Sequence, residues 1–155
     1  MSLPVASVVP SAPVVARAAA VASGPVVPAS GPARLGLGLD LVDIPRFAAV
    51  LARRPSIYER LFTAGELAYA RGLADPVPSL AARFAAKEAV MKAMGVGLGA
   101  FAFADVEVQR QPSGEPRLVL SGRAAALADE RAVCHWLVSL THTATAAAAV
   151  VLALP

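Results

Sequence analysis

Residues 80–94 read LAARFAAKEAVMKAM, and this alanine-rich segment has the strongest helical character in the chain. Alanine has the highest helix propensity of all residues. Ser79 directly before the segment is a favourable N-cap, and Gly95 directly after it is a typical C-terminal stop. We therefore predict a helix from Leu80 to Met94, followed by a loop that further glycines keep open.

The predicted helix carries two residues of opposite charge one turn apart, Glu88 and Lys92. Four residues of helix rise about 6 Å, so the two side chains share a face. Taken alone, the pattern is that of a surface ion pair worth about 0.2–0.5 kcal/mol. The helix also carries Arg83 and Lys87.

The segment RLGLGLDLV at residues 34–42 alternates leucine with small or polar residues, which is the period of a strand. Asp40 then lies near the end of that strand. Asp43 is well placed to cap a following helix, whose apolar residues recur at positions 44, 47, 48 and 51. Arg46 and Arg53 lie off that apolar face, on one side of the helix.

The rest of the chain mixes short helices with antiparallel strands. Thr63 and Glu66 have the spacing of a capping box, which opens a helix through about Arg71. The pattern then predicts a hairpin of 106–109 with 117–120, a helix over 123–131, and strands over 133–140 and 146–154 separated by a turn at 141–143. This arrangement indicates the α+β class.

Length and composition limit the classes of function that the chain can have. A chain of 155 residues has the length of one domain. The net charge of +3 is mild and lacks long basic blocks, so a small anionic ligand or an acidic partner fits better than nucleic acid. The sequence has no apolar run near the roughly 20 residues that cross a bilayer, so we expect no membrane association.

Residues 1–33 combine many prolines with alanine, valine, serine and glycine, and contain no acidic side chain. We predict a disordered tail at 1–33 and one folded domain at 34–155. Prolines interrupt the place where a signal peptide would have its apolar stretch. Cys134 is the only cysteine and lies in an apolar run, so we expect a buried thiol and a cytoplasmic protein.

Carboxylates, bases and open backbone together are what a metal-bound phosphate requires. Mg²⁺ prefers oxygen ligands and is commonly held by one or two carboxylates together with substrate phosphates. Asp40 and Glu88 supply such a pair, and the glycine loop of Gly95 and Gly97 directly follows the helix. Asp40 and Glu88 are therefore candidate ligands for a magnesium ion.

Four blocks of the sequence, in the same order and spacing, resemble the holo-(acyl carrier protein) synthases, which are small trimeric 4′-phosphopantetheinyl transferases. The likeness covers Leu35 to about Leu154. The blocks are GLGLDLVD at 36–43 with Arg46, FT at 62–63 with Glu66, RFAAKEA at 83–89 with Lys92 and GVG at 95–97, and SLTHT at 139–143.

This resemblance implies an activity: transfer of the 4′-phosphopantetheine arm of coenzyme A to a serine of an acyl carrier protein. It implies that Asp40 and Glu88 bind Mg²⁺ with the pyrophosphate of coenzyme A. It also implies that Lys92 stabilises or protonates the leaving group, while Glu88 helps to remove the serine proton.

The resemblance further implies that the coenzyme phosphates are contacted by Arg83, Lys92, Gly95, Gly97, His142 and Thr143. Lys87 is either a further contact or a charge on the helix face. The alternative for His142 is a turn residue that has no role in binding or catalysis. Glu66 is interpreted as a helix cap and not as a catalytic residue.

The resemblance implies a homotrimer with active sites between subunits, and docking of the acidic helix of the carrier on Arg46 and Arg53. Ordinary solvated arginines are the alternative for that pair. Two rival functions stay open: a coenzyme-binding module without catalysis, and a purely structural trimer. The residues leave open whether the carrier serves fatty acid, polyketide or peptide synthesis, and which acyl forms of the coenzyme are accepted.

Overall fold

Residues 35–155, which the computed structural model describes, form five α-helices and two antiparallel sheets. This confirms the α+β class. The predicted tail at 1–33, together with Arg34, lies outside the described residues. In chain order the elements are β1 (Gly36–Asp43), α1 (Ile44–Arg53), α2 (Ile57–Leu61), α3 (Ala64–Arg71), α4 (Val77–Ala93), β2 (Val106–Arg110), β3 (Pro116–Leu120), α5 (Gly122–Glu130), β4 (His135–His142) and β5 (Ala146–Leu154).

The larger sheet has the strand order β1-β5-β4, and β2 and β3 form a separate hairpin, as predicted. Asp40 on β1 pairs with Ala149, and His142 on β4 pairs with Ala147. Directly paired residues point to the same face of a sheet. Because Ala147 and Ala149 are buried against the helical layer, Asp40 and His142 both lie on the face that carries α4.

Helix α4 packs directly on the backbone of β1. A Cβ atom added to Gly38 would overlap the carbonyl oxygen of Ala89, and one added to Gly36 would overlap that of Ala93. Only glycine leaves room for so close an approach. The glycines of β1 therefore hold the strand against the helix, and Asp40, two residues after Gly38, lies beside it.

The opposite face of the larger sheet exposes a continuous set of apolar side chains, which we call the outer apolar face. Successive residues of a strand point to opposite faces, so the leucines of β1 point away from α4 while its glycines point toward it. Large exposed apolar patches are typical of interaction surfaces, so this face is a candidate for one. Its members are Leu37, Leu39 and Leu41 of β1, Leu137 of β4 and Val150 of β5.

Two of the three predicted N-terminal helix caps, Asp43 and Thr63, are confirmed. The backbone N–H of Arg46 donates to Oδ1 of Asp43 over 2.8 Å. Thr63 and Glu66 form the complete capping box, in which each backbone N–H donates to the side chain of the other residue, over 3.0 and 3.2 Å. These bonds satisfy N–H groups that a helix start leaves free.

Glu66 also belongs to a buried ion pair. Its Oε2 lies 2.7 Å from Nζ of Lys87, and both side chains are fully buried. The same ammonium donates to the backbone oxygens of Phe103 and Val106 over 3.0 and 2.5 Å, and Oε1 of Glu66 accepts from the N–H of Val108. The interpretation of Lys87 as a helix-face charge is therefore wrong: Lys87 joins α4 to α3 and to the start of β2.

Helix α4 begins at Val77 and not after Ser79, so the predicted start is wrong by three residues. Proline is tolerated in the first turn of a helix, where its missing N–H would have no partner. Pro78 occupies such a position, and Asp75 accepts a hydrogen bond from the N–H of Val77 over 3.1 Å. Pro76 and Pro78, which lie between the two predicted helices, form the start of α4.

Strand β4 continues through Thr141 and His142, so the turn predicted at 141–143 lies later, around Thr143. The hydroxyl of Thr143 accepts from the N–H groups of Thr145 and Ala146, which closes the connection to β5. Cys134 is exposed, contrary to the prediction of a buried thiol, because it precedes the first paired residue of β4. Among residues 35–155, the helices are too short or too polar to span a membrane.

Candidate active site

Lys92 makes its ion pair with Asp40. Its ammonium group donates to Oδ1 of Asp40 over 2.8 Å and to the backbone oxygen of Leu39 over 2.9 Å. The predicted i,i+4 partner, Glu88, lies one turn earlier on α4. The last turn of this helix therefore brings a lysine to the strand carboxylate, which sequence spacing alone does not indicate.

Glu88 completes a cluster of two carboxylates and one ammonium group. Partial burial raises the pKa of Glu88 above its usual range, the negative charge of Asp40 raises it further, and the positive charge of Lys92 opposes both effects. Lys92 links the two carboxylates, since it bonds to Asp40 directly and lies one helical turn after Glu88. Asp40 on β1 and Glu88 on α4 are therefore on facing elements near the same ammonium group.

The cluster fits a magnesium ion. Two carboxylates that repel each other are stabilised by a shared cation, and their hard oxygen donors are the ligands that Mg²⁺ prefers. The ammonium of Lys92, bonded to Asp40, already shows that a positive charge is accommodated at this position. With only two protein carboxylates, such an ion keeps positions for water and for phosphate oxygens.

The glycine loop follows directly after this cluster. Gly95 has φ +66°, a left-handed conformation that lets the helix end in a hydrogen bond from Val96 N to Met91 O over 2.9 Å. A Cβ atom added to Gly97 would meet nothing within 4 Å, so the surface there is open. The loop thus offers accessible backbone beside Lys92, as the sequence predicts.

A second group of functional candidates lines a cavity of about 720 Å³. Arg83, from the first half of α4, and His142, at the end of β4, both contribute to its wall. Arg83 is buried, and within the described part of the chain its Nε has no hydrogen-bond partner. The structure therefore brings Arg83 and His142 together. Thr143, whose hydroxyl is engaged in the adjoining turn, is not among the described residues that line the cavity.

The two groups lie on different sides of α4. Arg83 and Glu88 are five residues apart, and each residue turns a helix by about 100°, so their directions differ by roughly 140°. In agreement with this geometry, Asp40, Glu88 and Lys92 are absent from the cavity wall that the described residues form. One chain therefore presents two separate groups of candidate residues, which we call the two half-sites.

Two further residues of the cavity were missed by the sequence reasoning. Tyr69 of α3 and Arg110 of β2 both line it, and Nη1 of Arg110 donates to the hydroxyl of Tyr69 over 3.1 Å. No local motif marks either residue, because their contact joins positions 41 residues apart.

Arg46 and Arg53, predicted to meet an acidic partner, are exposed on α1. Arg53 donates from Nε to the backbone oxygen of Ala49 over 3.1 Å, within its own helix. The predicted shared side of α1 therefore carries two accessible guanidinium groups.

The sequence of this chain is similar to known proteins over most of its length. Residues 36–152 match the family model of the 4′-phosphopantetheinyl transferase superfamily. The holo-(acyl-carrier-protein) synthase of Moorella thermoacetica is 47% identical over 118 residues, which cover 76% of this chain and 92% of the relative. The synthase of Streptomyces griseus is 48% identical over 119 residues, covering 77% and 97%.

Solved structures give the same result. The holo-(acyl-carrier-protein) synthase of Neisseria meningitidis superposes with a TM-score of 0.72 at 28% identity, covering 77% of this chain and 98% of that one. The Helicobacter pylori synthase, solved in complex with coenzyme A, superposes with a TM-score of 0.66 at 31% identity, covering 74% and 96%. The chain therefore belongs to the 4′-phosphopantetheinyl transferase superfamily and, within it, to the holo-(acyl-carrier-protein) synthases.

Proposed function

We propose that this chain transfers the 4′-phosphopantetheine arm of coenzyme A to a serine of apo-acyl carrier protein, in a Mg²⁺-dependent reaction that releases adenosine 3′,5′-bisphosphate. The convergence of Asp40, Glu88 and Lys92 carries the proposal. The names of the relatives, and the coenzyme A complex of the Helicobacter pylori synthase, support the choice of substrates.

Asp40 and Glu88 hold the magnesium ion, which when bound neutralises charge on the pyrophosphate. The serine oxygen attacks the phosphorus that bears the pantetheine arm, and the bond from that phosphorus to the bridging pyrophosphate oxygen breaks. Lys92, accessible beside Asp40, stabilises or protonates the departing phosphate. Glu88 accepts the serine proton, directly or through a water molecule.

The nucleotide part of the coenzyme occupies the cavity of Arg83 and His142. A buried arginine with a free Nε suits a phosphate, because its planar group can donate to two oxygens at once. Gly97 offers its backbone N–H beside the catalytic cluster, whereas Gly95, whose N–H donates to the carbonyl oxygen of Lys92, turns the chain into the loop. Thr143, whose N–H donates to the carbonyl oxygen of Ala146, closes the connection next to His142.

The active enzyme is a homotrimer in which each site combines the two half-sites from neighbouring subunits. The outer apolar face gives a reason for association, because packing it against another subunit removes exposed leucines from water. The separation of Arg83 from Glu88 around α4 gives a second reason. A coenzyme bound between subunits meets the phosphate cavity of one subunit and the metal cluster of the next.

The acyl carrier protein docks on α1, where Arg46 and Arg53 are exposed. Opposite charges on the two surfaces accelerate association and orient the partners. The reaction supplies holo-carriers for fatty acid or polyketide synthesis.

Intact-mass spectrometry of a purified apo-carrier tests the proposal. The carrier is incubated with the full chain, coenzyme A and Mg²⁺, with and without a chelator. We expect the mass of the carrier to increase by one phosphopantetheine arm with the metal and to stay unchanged when the metal is chelated. Binding of coenzyme A without any gain in carrier mass would instead indicate a binding module.

A further inference from the structure

Tyr69 contacts two arginines at the wall of the phosphate cavity. Its ring lies 4.3 Å from the guanidinium carbon of Arg83, which is the geometry of a cation–π contact. Its hydroxyl accepts a hydrogen bond from Nη1 of Arg110 over 3.1 Å. One side chain thus fixes two guanidinium groups that come from different elements, α4 and β2.

The guanidinium group of Arg110 passes over the hairpin turn between β2 and β3. Gly114 in that turn has φ +95°, and a Cβ atom placed on it would lie 3.6 Å from Nη2 of Arg110. The residue itself is exposed, so its remaining N–H groups are accessible from the cavity. The guanidinium group is therefore both positioned and available to a ligand.

Two like charges at one wall repel each other. Burial lowers the pKa of Arg83, and the positive charge of Arg110 contributes to the same lowering, whereas Glu66 and Tyr69 oppose it. The carboxylate of Asp75 also lines the cavity, but it accepts the N–H of Val77 at the start of α4. An anion between the guanidinium groups would relieve the repulsion and bind the free Nε of Arg83.

We propose that Arg110 is a further binding residue for the 3′-phosphate of coenzyme A, and that Tyr69 is a positioning residue that orients Arg110 and Arg83 around it. The inference rests on the proposed function. Coenzyme A carries a pyrophosphate and one separate phosphomonoester. The pyrophosphate belongs at the metal cluster, so the monoester is the phosphate that remains for the arginines of the cavity.

The chemistry of the group suits this assignment. A phosphomonoester carries up to two negative charges and three terminal oxygens, enough for two guanidinium groups at once. Arginine is favoured over lysine for such planar, two-point contacts. Tyr69 already restricts the two arginines before the ligand binds, so they lose less conformational freedom on binding. Binding is therefore stronger, although Tyr69 adds no contact to the ligand.

Steady-state kinetics with two coenzymes test the role of Arg110. For Arg110→Gln we expect KM for coenzyme A to rise about tenfold, the loss typical of one charge-assisted hydrogen bond, with kcat unchanged. KM for 3′-dephospho-coenzyme A should not change. An equal rise in KM for both coenzymes, or no change for either, would overturn the proposal.

Arg117→Gln is the matched control, because Arg117 is an exposed arginine of the same hairpin, opposite Gln109, and is not among the described residues of the cavity wall. It removes the same charge from the protein. We expect both KM values to remain those of the wild type. A rise like that of Arg110→Gln would assign the effect to net charge and refute a specific contact.

Two substitutions of Tyr69 separate positioning from folding. Tyr69→Phe keeps the ring over Arg83 and removes the acceptor of Arg110, so it should reproduce the Arg110→Gln phenotype. Tyr69→Leu removes both contacts and should raise KM for coenzyme A further, again without changing KM for the dephospho form. A loss that is equal for both coenzymes in Tyr69→Phe would show a structural role only.

A binding measurement keeps this inference separate from the transfer reaction. Calorimetric titration of the full chain with adenosine 3′,5′-bisphosphate and with adenosine 5′-monophosphate needs no carrier. We expect the bisphosphate to bind more tightly than the monophosphate. We expect Arg110→Gln to reduce the ratio of the two affinities about tenfold. If this difference is present but no arm is transferred, the proposed function fails and the phosphate site stands. If wild type binds both nucleotides equally, the phosphate site fails.

Discussion

The ammonium group of Lys92 lies 2.8 Å from Oδ1 of Asp40, so the last turn of α4 is joined to β1 beside Glu88. The contact depends on the glycines of β1. Because Gly36 and Gly38 let the helix rest on the strand backbone, side chains 52 residues apart in sequence meet at hydrogen-bonding distance. The cluster to which we assign catalysis is thus a product of close helix–strand packing.

Lys92→Met should lower kcat for arm transfer by about 10²–10³-fold, because it removes a donor to the charge that develops on the leaving phosphate. KM for coenzyme A should change much less. Quenched-flow assays of carrier modification measure the rate, and Lys92→Arg is the matched control that retains a positive charge and should recover part of it. Wild-type kcat in Lys92→Met would remove Lys92 from the mechanism.

The local parts of this architecture could be predicted from sequence. The strand that carries Asp40, the cap at Asp43 and the capping box of Thr63 and Glu66 depend on neighbours within a few residues, and the structure confirms them. Asp40 itself lies in the middle of β1 and not near its end. The start of α4 was predicted wrongly, since a proline can break a helix or begin one.

Contacts between distant parts of the chain could not be predicted from spacing. Helical periodicity places Lys92 near Glu88, but the closer partner, Asp40, comes from the packing of β1 on α4. Lys87 has the sequence pattern of a surface charge, yet tertiary structure buries it against Glu66. Tyr69 belongs to no motif, and its role depends on a hairpin that follows about 40 residues later.

Lys87→Met should destabilise the fold by about 3–5 kcal/mol, because it leaves the carboxylate of Glu66 buried without a partner. Urea unfolding at fixed protein concentration measures the change. Arg123→Met is the control: it breaks an ion pair of equal length, 2.7 Å to Glu130, between side chains that are both 53% exposed, and should cost less than about 1 kcal/mol. Equal losses in the two variants would contradict the importance of burial.

Leu39→Asp should convert the proposed trimer to monomers and abolish transfer, since a carboxylate on the outer apolar face opposes its burial between subunits. Light scattering after size exclusion measures the mass against the 15.7 kDa of one chain, and circular dichroism checks the fold. Ala126→Asp, which adds the same charge at an exposed site on α5, should leave both properties unchanged. A trimeric, active Leu39→Asp protein would refute the assigned interface.

Glu88 should make stability depend on pH when metal is removed. Burial, and then Asp40, raise the pKa of Glu88 above its ordinary value of 4.5, so the folded state binds the proton more tightly than the unfolded state. Its stabilising contribution is complete below pH 4.5 and is lost as the pH rises through the raised pKa.

Unfolding free energies of the wild type and of Glu88→Gln, measured in EDTA across this range, check the dependence. The difference between wild type and variant should fall with rising pH. Excess Mg²⁺ should reverse that fall, because the metal binds the ionised carboxylate. A difference that stays constant in EDTA would show that Glu88 has the same pKa in both states.

Electron paramagnetic resonance of Mn²⁺, as a spectroscopic substitute for Mg²⁺, tests most directly whether Asp40 and Glu88 hold one cation. The titration uses the full chain with coenzyme A present. We predict one bound ion per chain in the wild type, and a loss of binding in both Asp40→Asn and Glu88→Gln. Undiminished Mn²⁺ affinity in the two variants would contradict a shared metal site and, with it, the proposed mechanism.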